Sequence, residues 1–191
     1  NYKELTAWIS TNKGKVNLAN AGVGSASHLC GLMFQSALQT EMTPVPYKGA
    51  APAIADLMGN QVDLLCDQTT NTTSQIKAGK VKAYAVTTPK RLATPALKDL
   101  PTLQELGLKD FQVTIWHGLY APKGTPAAVV KTINDALRVA LKDPQFVKNE
   151  EALGAVIAAD KRLEPAEHKK FVQAETAKWG AVIKAAGAYA D

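Results

Sequence analysis

The sequence predicts an α/β fold with a mainly parallel sheet, and three observations support this. Up to about residue 110, short β-type segments alternate with amphipathic helical patterns, which is typical of βα units. From Thr125 onward the chain has three helical stretches and no convincing strand. Between the two regions, "FQVTIWHGLYAP" is the longest β-rich run and predicts a crossover strand that links two bodies.

The composition is that of a folded protein. The chain has 191 residues, of which 46% are hydrophobic and 20% are charged, enough for one domain or two small lobes. No apolar run approaches the roughly 18 residues that a membrane span needs. The opening "NYKELTAWISTNKGK" is already amphipathic and carries no signal peptide, which favours a processed chain or a piece of a longer one.

The first 60 residues predict three helices and two strands. Leu5, Trp8 and Ile9 share one face of a helix over 2–12. The strand "KVNLANA" then leads into a glycine-rich turn and a helix of about four turns. A second strand, "MTPVPY", precedes the short helix "KGAAPAIADLMGN", which Gly59 and Asn60 end.

The next 50 residues continue the alternation. "QVDLLCD" is a continuous apolar run and predicts a strand buried on both faces. "TTNTTSQIKAGK" predicts a helix that ends at Gly79. "VKAYAVTT" then predicts a strand, and "TLQELGL" predicts a short helix.

The tail predicts three amphipathic helices, "TPAAVVKTINDALRVALKD", "PQFVKNEEALG" and "PAEHKKFVQAETAKWGAVIKAAG". Pro126, Pro144 and Pro165 each lie where a first helical turn accepts proline. These helices have apolar faces that pack either on each other or on a sheet supplied elsewhere, and the second alternative is the more natural one.

The charge pattern argues against nucleic acid. The net charge is +5, but Lys and Arg are spread along the chain, with no basic block and no interleaved aromatic residues. Attraction of small anions, or solubility, is the milder interpretation. His28, His117 and His168 are far apart in the sequence and no CxxC or HExxH occurs, so we expect neither a metal nor a cofactor.

The two cysteines, Cys30 and Cys66, are too few for a disulfide scaffold. They could pair in an oxidising compartment. Both lie inside apolar patterns, however, where free buried cysteine is the commoner outcome, and the sequence leaves the pairing open.

The stretch "NAGVGSASHLCGLMF", residues 20–34, is the most informative part of the chain, and it allows several interpretations. A hydrolase or thiol enzyme would use Ser25, His28 or Cys30. No GxSxG elbow is present, and residues this close in sequence do not imply a triad. A nucleotide loop would need a third glycine or a P-loop lysine, and both are missing.

A backbone cradle for an anion fits the stretch better. Gly22 and Gly24 allow a positive φ, and Ser25 can cap the helix that follows. The first N–H groups of that helix have no intrahelical partner and carry the positive end of its dipole, so a carboxylate or phosphate fits there. An ordinary βα turn remains the alternative. The predicted binding residues are Gly22, Val23, Gly24, Ser25, Ala26 and Ser27.

Two further turns carry candidate residues. They follow the second and third predicted strands, and in open parallel sheets ligands bind beyond the carboxyl ends of the strands. A solvated lysine and a helix-capping aspartate are the structural alternatives. The candidates are Tyr47, Lys48, Gly49, Asp67, Gln68, Thr69 and Thr70.

Six stretches together resemble one known family. They are "LANAGVGSASHLCGLMF", "VPYKGAAPAIADLMGNQVDLLCD", "IKAGKVKAYAVTTPKRL", "LPTLQELGL", "WHGLYAPKGTP" and "ETAKWGAVIKAAG". In order and spacing they are similar to the Bug/TctC family, the periplasmic solute receptors of tripartite tricarboxylate transporters. The resemblance runs from about Tyr2 to Gly187, and Asn60 stands where the family pattern usually has glycine.

The resemblance implies a type II periplasmic binding fold, with one complete lobe and the helical part of another. Residues 1–116 would form the ligand-binding lobe, and residues 117–191 the crossover strand and the helices that return to the first lobe. The family's first segment, with its "PxxPGGxxD" loop, has no match here. An incomplete first lobe would expose apolar helix faces and favour self-association.

The resemblance also implies a function. Such receptors are not enzymes; they hold a small organic carboxylate through backbone amides and water, and they deliver it to transporter membrane subunits. The ligand would be a di- or tricarboxylate, an acidic amino acid or an aromatic acid. The protein would be periplasmic, exported by a leader that this chain does not contain. An enzyme using Ser25, His28 or Cys30, or an assembly module without ligand, are the alternatives.

Overall fold

A computed structural model describes residues 1–186 of the chain. Its helices are α1 (Tyr2–Thr11), α2 (Ala26–Leu38), α3 (Ala50–Met58), α4 (Thr69–Lys77), α5 (Ala127–Ala140), α6 (Pro144–Ala152) and α7 (Pro165–Ala186). Its strands are β1 (Asn17–Asn20), β2 (Thr43–Pro46) and β3 (Leu64–Leu65), and a 3₁₀ turn spans Lys161–Leu163. Gly187, where the predicted last helix and the resemblance end, lies outside the described residues.

The three strands form a parallel sheet in the order β2-β1-β3. Ala19 on the central strand lies opposite Val45 on one side and Leu65 on the other. The edge position of β2 suits its sequence, because Pro44 and Pro46 have no N–H to donate to a neighbouring strand. Parallel pairing brings the carboxyl ends of all three strands to one edge of the sheet.

Helices cover both faces of this sheet. Successive residues of a strand point to opposite faces. On one face, Leu18 packs in a buried cluster with Ile9 of α1, and Phe34 of α2 contacts that cluster. On the other face, Ala19 packs against Ala53 of α3. The layers predicted from the strand–helix alternation are therefore present.

The tail is attached to the α/β part at several places. The Thr73 hydroxyl of α4 donates to the carbonyl of Leu153, 2.9 Å away, just after α6. Trp179 of α7 packs against the buried cluster that contains Leu103 and Phe111. Within the tail itself, the Asn134 amide of α5 donates to the Leu163 carbonyl at 2.8 Å, which holds α5 against the turn that leads into α7.

Two predicted strands are wrong. Within the described residues, "VKAYAVTT" makes only an isolated parallel bridge, between Val86 and Thr102. The long β-rich run at 111–122 forms no strand. The Val113 N–H of this run donates a hydrogen bond to the carbonyl of Thr87, which belongs to "VKAYAVTT". A strand needs a partner of matching length, and β-favouring side chains alone do not supply one.

The helix predicted at "TLQELGL" is also wrong, because this stretch is a series of turns. Its start has a capping box: the Thr102 hydroxyl accepts from the N–H of Glu105, and the Glu105 carboxylate accepts from the N–H of Thr102. The chain then reverses at Gly107, where φ is +100°, and the Leu108 N–H donates to the Leu103 carbonyl. The stretch therefore has the cap of a helix, but the chain reversal at Gly107 prevents a helix from forming beyond that first turn.

The strand predicted to be buried on both faces is shorter and more exposed than expected. β3 contains only Leu64 and Leu65, and both are half-buried. Val62, just before them, is buried against α3. Leu64 packs against the cluster around Ile9 and Leu65 against the cluster around Ala53, and both side chains also line a cleft, which leaves them partly exposed.

Cys30 and Cys66 form a disulfide, so the free cysteines that the sequence favoured without excluding pairing do not occur. Apolar surroundings were the basis of that prediction, and they are present: Cys30 is buried among Leu103, Phe111 and Val113. The sequence pattern did not show that the end of β3 lies beside α2, with the two Cα atoms 6.2 Å apart. That separation lies within the range that disulfides span.

Apolar side chains of the tail are exposed, as expected. Helix α5 buries none of its residues fully. Leu119 is 60% exposed and Val156 is 83% exposed. Within residues 1–186, none of the helices has the length and apolar character that a membrane crossing requires.

Candidate anion site at the carboxyl edge of the sheet

The turns after β1 and β2 are joined by backbone hydrogen bonds. The Tyr47 N–H donates to the Asn20 carbonyl at 2.9 Å, and the Gly49 N–H donates to the Ala21 carbonyl at 3.2 Å. These bonds continue the β1–β2 pairing past the last residues of the strands. The sheet therefore brings these two predicted turns together, and the turn after β3 begins at the same edge.

Side chains hold the loop between β1 and α2 in place. The Asn20 side-chain oxygen accepts from the Gly22 N–H at 3.0 Å. The Ser27 hydroxyl accepts from the Ala21 N–H at 2.7 Å. The His28 Nδ1 accepts from the Gly24 N–H at 3.2 Å. Three of the loop's backbone donors are thus satisfied inside the protein.

The remaining backbone donors at the start of α2 are the candidates for an anion site. Ser25 is the N-cap of α2, and its hydroxyl accepts from the His28 N–H at 3.2 Å. Within the described residues, the N–H groups of Val23, Ala26 and Ser27 donate no hydrogen bond. They lie at the positive end of the α2 dipole. Among residues 22–27, these three amides are therefore the backbone donors that the protein leaves available, and the binding role predicted for 22–27 stays a prediction.

The buried imidazole of His28 is a site residue that sequence reasoning left without a role. His28 lies four residues after Gly24, and its Nδ1 accepts from the Gly24 N–H. Because Nδ1 accepts, the neutral ring carries its proton on Nε2. The one available signal was a histidine on the first turn of a helix that follows a glycine bend.

Replacing His28 by alanine is expected to lower the free energy of unfolding by about 1–3 kcal/mol, because the buried imidazole loses its packing and its hydrogen bond from the Gly24 N–H. His28→Asn is the matched control, since its side-chain oxygen takes a place close to that of Nδ1. Urea unfolding of both variants measures the difference. Equal losses for the two variants would contradict this role.

The turn after β3 is organised by Asp67. Its carboxylate accepts from the Gln68 N–H at 2.8 Å and from the Asn71 side-chain amide at 3.3 Å. Helix α4 begins at Thr69, so Thr69 and Thr70 form its first turn. Burial raises the pKa of the Asp67 carboxyl above its usual value, although both hydrogen bonds act in the opposite direction.

The raised pKa of Asp67 predicts a stability that increases as the pH falls from neutrality towards 3.8, the carboxyl's usual value. In that window the folded state binds a proton at Asp67 that the unfolded state does not bind. Asp67→Asn removes this contribution. Urea unfolding of wild type and variant between pH 7 and pH 4 measures it as a difference in slope.

Asp160→Asn is a control with the opposite sign. Hydrogen bonds from Arg162 lower the pKa of Asp160 to about 2. Its contribution is therefore present above pH 3.8 and is lost as the pH falls towards 2. A slope for Asp67→Asn equal to that of the wild type would show that Asp67 titrates normally.

The candidate residues fall into two groups around an open cleft of about 1620 Å³. Ala26 and Ser27 line the cleft together with the turn 67–70. The other candidates do not line the cleft, and they are Gly22, Val23, Gly24, Ser25, Tyr47, Lys48 and Gly49. The Tyr47 hydroxyl donates to the Asp56 carboxylate at 2.7 Å, which raises the pKa of Tyr47.

The lining of the cleft also includes aromatic side chains that the sequence did not indicate. The Trp116 ring lies 5.0 Å from that of Phe171, and the His168 ring lies 5.7 Å from that of Tyr120. The guanidinium of Arg162 lies over Phe171 at 5.2 Å. This part of the lining is formed where the segment after Val113 meets α7, a contact that no local pattern shows.

The geometry gives no support to thiol or serine chemistry. Cys30 is in a disulfide and is not a free thiolate. His28 Nδ1 is engaged by a backbone N–H, and Ser25 caps a helix. Among residues 1–186, no three His, Cys, Asp or Glu side chains are grouped so as to hold a metal ion.

A family model described as "Tripartite tricarboxylate transporter family receptor" matches residues 1–188. A UPF0065 protein of Agrobacterium vitis is 46% identical over 186 residues, which is 97% of this chain and 53% of that protein. The chain spans about half the length of the curated relatives it matches.

Solved structures are also similar to the chain. The periplasmic binding protein BugD is 49% identical with a TM-score of 0.91, and the match covers 97% of this chain and 61% of BugD. MatC from Rhodopseudomonas palustris, solved with bound malate, is 35% identical with a TM-score of 0.87, covering 95% and 61%. A further R. palustris protein, solved with adipate, is 30% identical with a TM-score of 0.89, covering 97% and 60%.

Proposed function

Because the chain belongs to the tripartite tricarboxylate transporter receptor family, we propose that it forms one wall of a receptor site for a small organic carboxylate. The observation that carries the proposal is the group of N–H donors at the start of α2. Ala26 and Ser27 line the cleft at the N-terminus of α2, and Val23 lies in the loop just before it; the N–H groups of all three make no hydrogen bond within the described residues.

Family membership confirms two predictions. The fold is α/β and type II periplasmic binding protein-like, and the chain matches about 60% of each solved neighbour, as one lobe with part of another does. The family is one of solute-binding receptors and not of enzymes. The alternative of an enzyme that uses Ser25, His28 or Cys30 therefore has no support.

The proposed ligand carries at least one carboxylate. One neighbour was solved with malate and another with adipate, which are both dicarboxylates. A carboxylate placed against the α2 amides would need no cationic partner, because the helix dipole and the N–H groups provide the favourable potential. Thr69 and Thr70, which line the cleft together with Ala26 and Ser27, would offer hydroxyl donors to a second polar group of the ligand.

We propose that residues 1–116 form the ligand-binding lobe and that residues 117–191 form the crossover and the helices of the other lobe. The cleft is larger than the roughly 300–1,000 Å³ of a typical small-molecule site. Exposed apolar residues such as Leu119 and Ile133 line its far side. Such a surface suits a further polypeptide wall, which would come from outside these 191 residues.

The proposed setting is the periplasm, and the proposed partners are the membrane subunits of a transporter. BugD is a periplasmic binding protein, and the family is named for its transporters. The disulfide between Cys30 and Cys66 suits an oxidising compartment. Self-association through the exposed helix faces remains a prediction, which light scattering of the purified chain tests.

Calorimetric titration tests the proposed function. The full encoded protein is titrated with malate, adipate, citrate, aspartate and benzoate, with glucose as a neutral control. Binding of at least one acid, and none of glucose, is the expected result. Failure of every acid to bind would overturn the proposal.

A further inference from the structure

The disulfide lies between the two parts of the proposed carboxylate wall. Cys30 is on α2, three residues after Ser27, and its side chain is 2% exposed. Cys66 follows β3 directly and precedes Asp67. The bond between them therefore joins the second turn of α2, directly after the N–H groups of Ala26 and Ser27, to the turn that begins α4.

Other connections between these two segments are few. β1 and β3 pair at only two positions, Leu18 with Leu64 and Ala19 with Leu65. Within the described residues, no hydrogen bond joins 26–30 to 66–70. Both cysteines line the cleft, so this side of the junction is not packed against a further layer.

Apart from the disulfide, Cys30 is held by noncovalent packing. Its buried cluster contains Leu103, Phe111 and Val113, which belong to the turns beyond α4. Cys66 also packs against this cluster, whereas none of the residues 67–70 belongs to it. The covalent bond is thus the shortest connection between the α2 amides and the turn 67–70.

We propose that the Cys30–Cys66 disulfide is a positioning element of the carboxylate site, and this proposal rests on the proposed function. The bond sets the distance between the N–H groups of Ala26 and Ser27 and the polar groups of residues 67–70. A ligand that contacts both segments then meets a preformed site and does not have to order it on binding.

Reduction of the bond would release the two segments. A dithiol such as dithiothreitol supplies two electrons and two protons, forms its own cyclic disulfide, and leaves Cys30 and Cys66 as thiols. The segments then move independently, and part of the binding free energy is spent on ordering them. The expected consequence is weaker binding in a chain that is still folded.

The test compares the full encoded protein with its Cys30→Ala/Cys66→Ala variant, with malate and adipate as probes. Hydrogen exchange at 26–33 and 67–73 is expected to be at least tenfold faster in the variant. Binding of the probe that the wild type prefers is expected to be at least tenfold weaker, measured well below the unfolding temperature. Wild type reduced by dithiothreitol under native conditions provides a second arm if the variant does not fold.

The control is Ile9→Ala, which removes a fully buried side chain of α1 outside the cleft lining. It is expected to reduce stability while leaving affinity within twofold and exchange at 67–73 unchanged. Unchanged exchange or unchanged affinity in the disulfide variant would overturn the proposal. If the oxidised wild type binds neither probe, the dicarboxylate form of the proposed function fails, and the exchange arm alone decides whether the disulfide orders the two segments.

Discussion

Replacing Cys30 and Cys66 together by alanine is expected to lower the free energy of unfolding by about 2–4 kcal/mol. The two cysteines are 36 residues apart in sequence, so the bond closes a loop that contains β2, α3 and β3. In the chain-entropy model, opening this loop increases the conformational entropy of the unfolded chain and changes that of the folded chain little. Urea unfolding without reductant measures the loss.

The reduced wild type is the control for this prediction. Its stability is expected to match that of the double variant, apart from the small packing contribution of the buried sulfur of Cys30. A single Cys66→Ala variant should lose as much. A double variant as stable as the oxidised wild type would show that the bond does not constrain the unfolded chain.

Replacing Gly22 by alanine is expected to lower the free energy of unfolding by about 1–3 kcal/mol, and to weaken dicarboxylate binding by tenfold or more. Its φ is +123°, a region that side chains disfavour. A Cβ there would lie 3.3 Å from the Tyr47 carbonyl oxygen. The loop would have to move away from the second turn, and the α2 amides would lose their alignment.

Gly14→Ala separates strain from function. Gly14 also has a positive φ, +78°, but a Cβ there meets no atom within 4 Å, and the residue lies between α1 and β1, away from the cleft. This variant should lose stability without losing affinity. Unfolding curves and calorimetry on both variants check the prediction, and equal affinities for the two would contradict it.

Much of the fold was predictable from local chemistry. Ser25 before an apolar helical pattern predicted the start of α2, and the structure confirms it as the N-cap. The strand–helix alternation predicted the parallel sheet, and its carboxyl edge brings the three candidate turns together. Pro44 and Pro46 are compatible only with an edge strand, which is where β2 lies.

The errors concern features that depend on distant residues. The segment 111–122 has the side chains of a strand, but the described residues offer it no partner strand of matching length. Pairing of Cys30 with Cys66 depends on the β1–β3 register, which the sequence does not show. The candidate site was likewise only partly predictable. The glycines and the helix cap are visible in the sequence, whereas the hydrogen bond from the Gly24 N–H to His28 Nδ1 is not.

The most direct test of the central claim is an amide NMR titration of the full encoded protein with malate or adipate, whichever binds more tightly. If the carboxylate is held by the start of α2, the N–H signals of Val23, Ala26 and Ser27 shift downfield as the site fills. The signals of Gly22 and Gly24, whose protons are already bonded inside the loop, move less. Saturable binding that leaves the signals of Val23, Ala26 and Ser27 unmoved would contradict the account.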